Sequence, residues 1–388
     1  MAFRTGSPRP APFRPLPFGP GPYKRCVMYL TGQHPVLPGS SNMLEAITHI
    51  IIAFYDSNAF NVDMTPTYFP LFTDVSSVRR IVHWDTRVMV AIGGWGNSLG
   101  FEVAAQDHEH RSRWAHQVKA MVDQQGADGV DIDWEFPGGN RDDYKIVPNS
   151  LRVWEIDAFV YLIEQLRIAL GPDKIISLAV PGGSSDMMAF TNMTIRRLVR
   201  QVDFFNVMTY DMMGRRSTTV AHHSGVADSK AALGRYIDRG VPPFMLNLGL
   251  GYYAKWCMTE ECNMEQPLGC PTQLLEDPIT GADLGKTGGF SWHDETPPKL
   301  LRSFESSLVC GRYFADGSYG YWDAFMRLWW SYDTPKSILC KLDSVFGDAR
   351  LVGLGGVFAW GVGEDAPLFE HLAATLAGLE RIASGGKA

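Results

Sequence analysis

Short apolar runs rich in β-branched residues recur along the chain and predict eight buried strands. The runs are CVMYL at Cys26, HIIIAF at His49, RVMVAI at Arg87, GVDIDW at Gly129, IISLAV at Ile175, DFFNVM at Asp203, MLNLGL at Met245 and GGVFAW at Gly355. Most of these runs are apolar throughout, which is typical of strands that are covered on both faces of a parallel sheet.

Helix-like patterns lie between most of the predicted strands. One apolar stripe consists of Trp114, Val118, Met121 and Val122, and another of Trp154, Phe159, Leu162, Ile163 and Leu166. We expect both tryptophans to be core residues. Eight strands that alternate with helices predict an α/β protein with a TIM (β/α)8 barrel. A doubly wound open sheet is the alternative, but no G-x-G-x-x-G follows the first strand.

The spacing of the strands predicts an insertion between strand 7 and strand 8. The run at Met245 begins 42 residues after the run at Asp203, but the run at Gly355 begins 110 residues after Met245. This excess over an ordinary connection places an inserted subdomain at residues 252–325, within a catalytic barrel of residues 25–388. Seven prolines between Pro8 and Pro22 predict that residues 1–24 are a disordered leader.

Composition and charge exclude several classes of function. The chain has 388 residues, 45% of them hydrophobic, and 35 basic against 42 acidic side chains give a net charge of -7. Because no run of Lys and Arg could follow a phosphate backbone, we expect no nucleic-acid partner. No apolar stretch approaches the roughly 20 residues that cross a bilayer, and the first 25 residues lack the apolar core of a signal peptide.

The six cysteines indicate an oxidising compartment. Cys257, Cys262 and Cys270 fall within one polar stretch of the predicted insertion, and Cys26, Cys310 and Cys340 lie outside it. An even number of cysteines with such a cluster predicts disulfides, so we expect an extracellular protein. Free thiols in a cytosolic protein and a zinc knuckle are the alternatives, although no histidine lies among the three clustered cysteines.

The fourth predicted strand carries an unusual amount of negative charge, within the sequence GADGVDIDWEFPGG at residues 126–139. Alternate residues of a strand share a face, so Asp131, Asp133 and Glu135 face the barrel interior. Carboxylates this close in a shielded site share a proton, and at least one pKa is raised. Glu135, nearest the carboxyl end of the strand, is the candidate general acid. A Mg or Mn site is the rival interpretation.

The sequence from Asp128 to Glu135 resembles the D-x-x-D-x-D-x-E signature of glycoside hydrolase family 18 chitinases. Ile92–Trp95 is similar to the third-strand motif of that family, Met208–Asp211 to its sixth-strand motif, and Ala359–Trp360 to its eighth-strand tryptophan. The stretch from Leu250 to Asp323 resembles the α+β insertion of the fungal chitinases of this family. The resemblance therefore covers nearly the whole barrel.

This resemblance implies a retaining, substrate-assisted chitinase that cleaves β-1,4 bonds between N-acetylglucosamine units, with no cofactor and no metal. Glu135 would protonate the glycosidic oxygen while the N-acetyl carbonyl of the substrate attacks the anomeric carbon. Asp133 would accept the acetamido N–H, Asp131 would support the proton arrangement, and Tyr210 would bind the acetyl carbonyl.

The resemblance also implies a set of substrate-binding residues. Trp360 would form the floor under the distorted sugar, and the other lining positions are Trp95, Asp211, Met208, Gly94, Tyr29 and Phe54. One position departs from the family pattern, because Ala91 stands where the family often has a serine that holds the middle aspartate. Tyr29 is then the expected partner of Asp131.

Three functions fit these features. The first is an active chitinase, a monomer whose partners are chitin and chitooligosaccharides. The second is a chitin-binding, lectin-like protein of the same fold, although such relatives typically lose the acid that Glu135 provides. The third is an endo-N-acetylglucosaminidase that acts on N-glycans. The aromatic-rich insertion favours a long groove for linear chitin.

Overall fold

A computed structural model describes residues 24–385, and eight of its strands form a closed parallel barrel. The disordered leader predicted for residues 1–24 lies outside the described residues, apart from Lys24. The barrel strands are β1 (Arg25–Thr31), β2 (His49–Tyr55), β3 (Arg87–Gly93), β4 (Gly129–Asp133), β5 (Ile175–Pro181), β6 (Phe204–Met208), β7 (Leu246–Gly251) and β13 (Gly356–Trp360). Neighbours follow the order β1-β13-β7-β6-β5-β4-β3-β2. The TIM-barrel prediction is confirmed, and the open-sheet alternative is wrong because the sheet closes.

Helices cover the outside of this barrel. They are α1 (Ser41–Ala46), α2 (Val75–Arg79), α3 (Leu99–Ala105), α4 (His108–Gln125), α5 (Trp154–Leu170), α6 (Asn192–Leu198), α7 (Val226–Asp238), α9 (Pro335–Phe346) and α10 (Glu370–Ala383). The outer layer of strand side chains packs with these helices in one large core. A separate, smaller cluster of mostly aromatic and aliphatic side chains fills the barrel interior.

The structure agrees with the two predicted helical stripes except at one residue. Trp114 is fully buried in α4 as expected, and so is the apolar face of α5 from Phe159 to Leu166. The prediction that Trp154 belongs to the core is wrong, because 44% of this side chain is exposed. Trp154 is the first residue of α5, one turn before the face that packs on the barrel begins, so apolar periodicity alone extended the stripe too far.

An antiparallel sheet lies between the seventh and eighth barrel strands. Its strands are β8 (Tyr253–Met258), β9 (Thr287–Ser291), β10 (Arg312–Tyr313), β11 (Tyr319–Asp323) and β12 (Leu328–Ser331), with α8 (Pro298–Cys310) packed against them. The insertion predicted at this point of the chain is confirmed. Its predicted bounds, 252–325, stay a prediction, since β12 lies beyond them.

One of the expected disulfides is present in the insertion. Cys262 and Cys270 are bonded to each other, with their Cα atoms 5.6 Å apart, so the zinc-knuckle alternative is wrong. The other four cysteines are free thiols, of which Cys26 and Cys257 are buried. No helix within residues 24–385 is long and apolar enough to cross a membrane.

Candidate active site

A row of carboxyl side chains lies at the carboxyl end of β4, inside the barrel. Asp131 is fully buried and Asp133 is 4% exposed, while Glu135 follows two residues after the strand ends. On the other face Trp134 stacks on Phe101, with ring centroids 5.3 Å apart, and packs among the helices. The alternation along the strand therefore points the acids inward and the apolar residues outward.

The end of β3 approaches the backbone of this row closely. The Gly94 amide donates a hydrogen bond of 2.9 Å to the Asp133 carbonyl. A Cβ on Gly93 would lie 2.1 Å from that same carbonyl oxygen, and a Cβ on Gly94 would lie 2.8 Å from the ring of Phe54. Both glycines also have positive φ angles, which side chains disfavour. Glycine at these two positions lets β3 hold Asp133 in place.

Asp131 is held by two hydroxyl groups, one of which the sequence did not reveal. Tyr29 donates a hydrogen bond of 2.7 Å to Oδ2, as expected, and Ser177 donates one of 2.5 Å to Oδ1. In the barrel register Asp131 pairs with Ala91 on β3 and with Ser177 on β5. The hydroxyl that is missing at Ala91 is thus supplied from the opposite neighbouring strand.

These hydrogen bonds only partly offset the rise in the pKa of Asp131 that its burial causes. Burial raises its pKa, hydrogen bonds from Ser177, Tyr29 and Asn206 lower it, and the net pKa is about 6. Both carboxylate oxygens of Asp131 already accept hydrogen bonds from hydroxyl groups of the protein. This arrangement does not fit the Mg or Mn interpretation, and the part of the chain between residues 24 and 385 contains no group of three His, Cys, Asp or Glu side chains suited to a metal ion.

Asp133 and Glu135 form a coupled pair that retains a proton. Burial, followed by the charges of Glu135 and Asp131, raises the pKa of Asp133 well above its usual range. Burial, followed by the charges of Asp211 and Asp186, raises the pKa of Glu135 to about 8. Among the described residues, the buried Oδ1 atom of Asp133 has no hydrogen-bond partner. The site therefore offers a pair of carboxyl groups that retains a proton, with one buried oxygen that is free to accept a hydrogen bond.

Aromatic side chains surround this pair. The Trp360 ring stacks on Phe54 at a centroid distance of 5.4 Å and an angle of 24°, and it contacts Tyr29 at 5.6 Å. Tyr210 packs edge-on against Phe358 at 5.8 Å, and Met208 lies against the same interior cluster. Burial and then the charge of Asp133 raise the pKa of Tyr210 well above its usual range, so its hydroxyl stays a hydrogen-bond donor.

Asp211 stands at the edge of this cluster and stays ionised. Tyr253 donates to its Oδ1 atom at 2.7 Å and the Lys255 ammonium at 3.0 Å, while Nδ1 of His223 lies 3.8 Å away, too far for a hydrogen bond. Burial opposes ionisation, but the charge of Lys255 and the other nearby donors outweigh it and lower the pKa of Asp211. Tyr253 and Lys255 belong to β8 and were not predicted as site residues.

Trp95 lies apart from the interior cluster and is open to solvent. Its side chain is 52% exposed, which an aromatic platform for a ligand requires and a core residue does not. The Arg216 guanidinium lies 5.9 Å from the Trp95 ring and 4.1 Å from that of Tyr144. The structure thus brings most predicted site residues into one cluster and sets Trp95 and Asp211 at its border.

The sequence model described as glycosyl hydrolases family 18 matches residues 25–365. The chain belongs to this family. Chitinase 63 of Streptomyces plicatus is 26% identical over 314 residues, which are 76% of this chain and 45% of that protein, so the family-18 chain spans about half the length of this curated relative. The resemblance stated from the sequence motifs is confirmed at the level of the family.

Two solved structures share the fold of this family-18 chain. A chitinase from Rhizomucor miehei has a TM-score of 0.69 and 19% identity, over 92% of this chain and 100% of that chain. A class V chitinase from Nicotiana tobaccum, solved in complex with NAG4, has a TM-score of 0.66 and 20% identity, over 91% of this chain and 98% of that chain. At these identities the likeness concerns the fold.

Proposed function

We propose that this protein is a chitinase that hydrolyses β-1,4 linkages between N-acetylglucosamine units by a retaining, substrate-assisted mechanism with Glu135 as general acid and base. The observation that carries the proposal is the pairing of a protonated Glu135, whose pKa is about 8, with an Asp133 whose Oδ1 atom has no partner among the described residues. Family membership and similarity to proteins named chitinases support the same substrate class.

In the first step the Glu135 carboxyl gives its proton to the glycosidic oxygen as the bond between that oxygen and the anomeric carbon breaks. The N-acetyl carbonyl oxygen of the same sugar attacks the anomeric carbon and forms an oxazolinium ion. The free Oδ1 of Asp133 accepts the acetamido N–H and balances the positive charge, and the Tyr210 hydroxyl donates to the acetyl oxygen and orients the attack.

In the second step Glu135, now a carboxylate, takes a proton from water as the water oxygen attacks the anomeric carbon. The oxazolinium ring opens, the acetamido group is restored, and the configuration is retained after two inversions. Asp131 stays fixed by Tyr29 and Ser177, and its charge helps to keep a proton on the neighbouring pair. Trp360 would support the sugar from below.

The test is product analysis by mass spectrometry after incubation of chitohexaose with wild type, Glu135→Gln and Glu109→Gln, in buffer with EDTA. Glu109 is exposed on α4 and provides a control for the same chemical change. Wild type and the control should cleave the hexamer, and Glu135→Gln should lose roughly 100- to 10,000-fold of the rate, the usual contribution of a general acid.

Intact hexamer with the wild-type protein would overturn the chitinase proposal. Tight binding without cleavage would then favour the lectin-like alternative. Absence of binding would direct the test to N-glycans and to endo-N-acetylglucosaminidase activity. The sizes of the earliest products also distinguish cleavage within the chain from cleavage at its ends.

We further propose that the protein works as an extracellular monomer that binds chitin and chitooligosaccharides. The Cys262–Cys270 disulfide supports an oxidising compartment, where such bonds persist. Fractionation of the native source followed by an activity assay tests the location, and light scattering of the purified protein tests the monomer. Recovery of the protein in the reducing cytosol, or a dimer mass, would contradict the respective part.

A further inference from the structure

Glu364 is a buried carboxyl group next to the floor of the cleft, and no step of the proposed reaction uses it. It lies four residues after Trp360, is 7% exposed, and its Oε1 atom is 3.3 Å from the position that a Cβ on Gly361 would take. The Trp292 amide donates a hydrogen bond of 3.1 Å to the Glu364 carbonyl and fixes this loop against the insertion. Within residues 24–385 the Glu364 carboxyl has neither a hydrogen bond nor an ion pair.

The neighbouring acids already have partners, and Glu364 is the exception. Asp294 accepts from Nε2 of His34 at 3.0 Å and from the Ser291 amide at 2.7 Å. Asp211 accepts from Lys255 and Tyr253, as described above. Both acids lie within electrostatic reach of Glu364, and so does Tyr253. The carboxyl of Glu364 therefore lies near Asp211 and Tyr253 at the border of the site, in a negative field that a bound cation would relieve.

Burial, followed by the charges of Asp294 and Asp211, raises the pKa of Glu364 to about 7. An unpaired buried carboxylate is unfavourable unless it is neutralised or gains a partner. A ligand ammonium within hydrogen-bond distance would favour the ionised form and lower this pKa again. A charge-assisted hydrogen bond of this kind is roughly twice as strong as one between neutral groups.

We propose that Glu364 forms a subsite for the ammonium group of a glucosamine unit, that is, a deacetylated unit within the sugar chain. The inference rests on the proposed function, because a β-1,4 N-acetylglucosamine chain is neutral except where an acetyl group has been removed. The subsite adjoins the sugar over Trp360. The enzyme would then prefer partially deacetylated chains in one register, while the reacting unit keeps its acetyl group.

The position of Glu364 indicates which unit carries the ammonium. Trp95 follows β3, whereas Glu364 follows β13, which β1 and β2 separate from β3 in the barrel. The Ser98 hydroxyl bonds the Glu135 carbonyl at 3.2 Å and ties the Trp95 loop to the acid, which stands beside the leaving group. The Glu364 subsite therefore lies on the other side of the reacting unit. The glucosamine should be the second unit from the new reducing end.

The test compares wild type, Glu364→Gln and Glu370→Gln on chitosan oligomers of mixed acetylation, at about pH 6, where the amine of a glucosamine unit is largely protonated although the neighbouring sugar oxygens make it less basic than a lysine amine. Glu370 is exposed at the start of α10 and controls for the same substitution. Sequencing of the products should show glucosamine enriched at the second unit from the new reducing end with wild type and control. Glu364→Gln should lose about tenfold of this preference, which corresponds to about 1.4 kcal/mol.

A wild-type protein without this enrichment would overturn the inference, whatever the variants do. The inference would also be overturned if a folded Glu364→Gln variant lost activity equally on fully acetylated and on mixed oligomers, because Glu364 would then serve catalysis in general. A second measurement does not depend on turnover. Calorimetry compares the binding of the two oligomer types to the Glu135→Gln variant and to the double variant that also carries Glu364→Gln. If the mixed oligomer binds more tightly than the acetylated one, and if this preference is lost with Glu364→Gln, the subsite is supported even if the chitinase proposal fails.

Discussion

Glu135 is held protonated by the surroundings that make it a useful acid, and we expect this to reduce the stability of the fold. Its pKa is raised from 4.5 to about 8, first by burial and then by the charges of Asp211 and Asp186. The folded protein thus holds this proton where the unfolded chain has already lost it. Since the native state then binds more protons than the unfolded state, stability falls as pH rises from about 4.5 to about 8. Glu135→Gln removes this titration and should be more stable than wild type at neutral pH.

The size of the gain follows from the shift. A pH of 7 is about 2.5 units above the pKa of Glu135 in the unfolded chain, and each unit corresponds to about 1.36 kcal/mol. The upper bound on the gain in free energy of unfolding is therefore about 3 kcal/mol. Because Asp133 shares the proton of the pair, part of this free energy belongs to Asp133 and is not recovered by the substitution. We therefore expect the free energy of unfolding of Glu135→Gln to exceed that of wild type by about 1 to 2 kcal/mol. At about 2 °C per kcal/mol, the melting temperature should rise by roughly 2 to 4 °C.

Calorimetric melting of wild type, Glu135→Gln and the exposed control Glu109→Gln at pH 5 and pH 7 measures this gain. Only Glu135→Gln should be stabilised, and the gain should be clearly smaller at pH 5, close to the ordinary pKa of a glutamate. An equal gain at both pH values, or none at pH 7, would refute the reasoning. The same pKa predicts that wild-type activity declines as pH rises through about 8, when the general acid loses its proton.

Three further predictions concern support of the site and of the insertion. Ser177→Ala should lower kcat about tenfold with little change in KM, because hydrogen bonds to charged groups contribute about 1.5 to 3 kcal/mol, and adding Ala91→Ser should restore most of the loss in steady-state kinetics. Tyr210→Phe should lower kcat/KM by roughly 100- to 1,000-fold, as loss of one oxyanion donor does, with an unchanged melting temperature. Replacing both Cys262 and Cys270 with serine should cost about 2 to 3 kcal/mol in denaturant unfolding, and reduction of the wild type should give the same loss.

The barrel could be predicted because its strands are buried on both faces. A run such as IISLAV has almost no polar residues, and only a parallel sheet covered by helices buries such a run completely. The predicted starts lie within one residue of the observed ones, for example Cys26 against Arg25 and Gly355 against Gly356. Trp154 shows the limit of this reasoning, because periodicity gives the buried face of a helix but not the turn at which burial begins.

The acidic row could be predicted for a different reason, since it lies on one strand and strand alternation fixes its face. Other members of the site come from distant parts of the chain. Ser177 is 46 positions from its partner Asp131, and only the β4–β5 register places them side by side. Tyr253 and Lys255 reach Asp211 because β8 directly follows β7, the strand that pairs with β6. Such contacts depend on which strands are neighbours and on their register, which no local pattern of residues encodes.

The three acids lie on β4 and the two residues that follow it, and their surroundings give these chemically similar groups different states. Both oxygens of Asp131 are engaged by hydroxyls, so Asp131 offers its neighbours a fixed charge rather than a proton. That charge raises the pKa of Asp133, which keeps the proton on the pair formed with Glu135. Loss of the Ser177 hydroxyl would raise the pKa of Asp131 and weaken this charge at neutral pH. Ser177 therefore acts on the reaction through Asp131, as a positioning residue, and Ser177→Ala should shift the pH profile of kcat as well as its height, which a merely structural defect would not do.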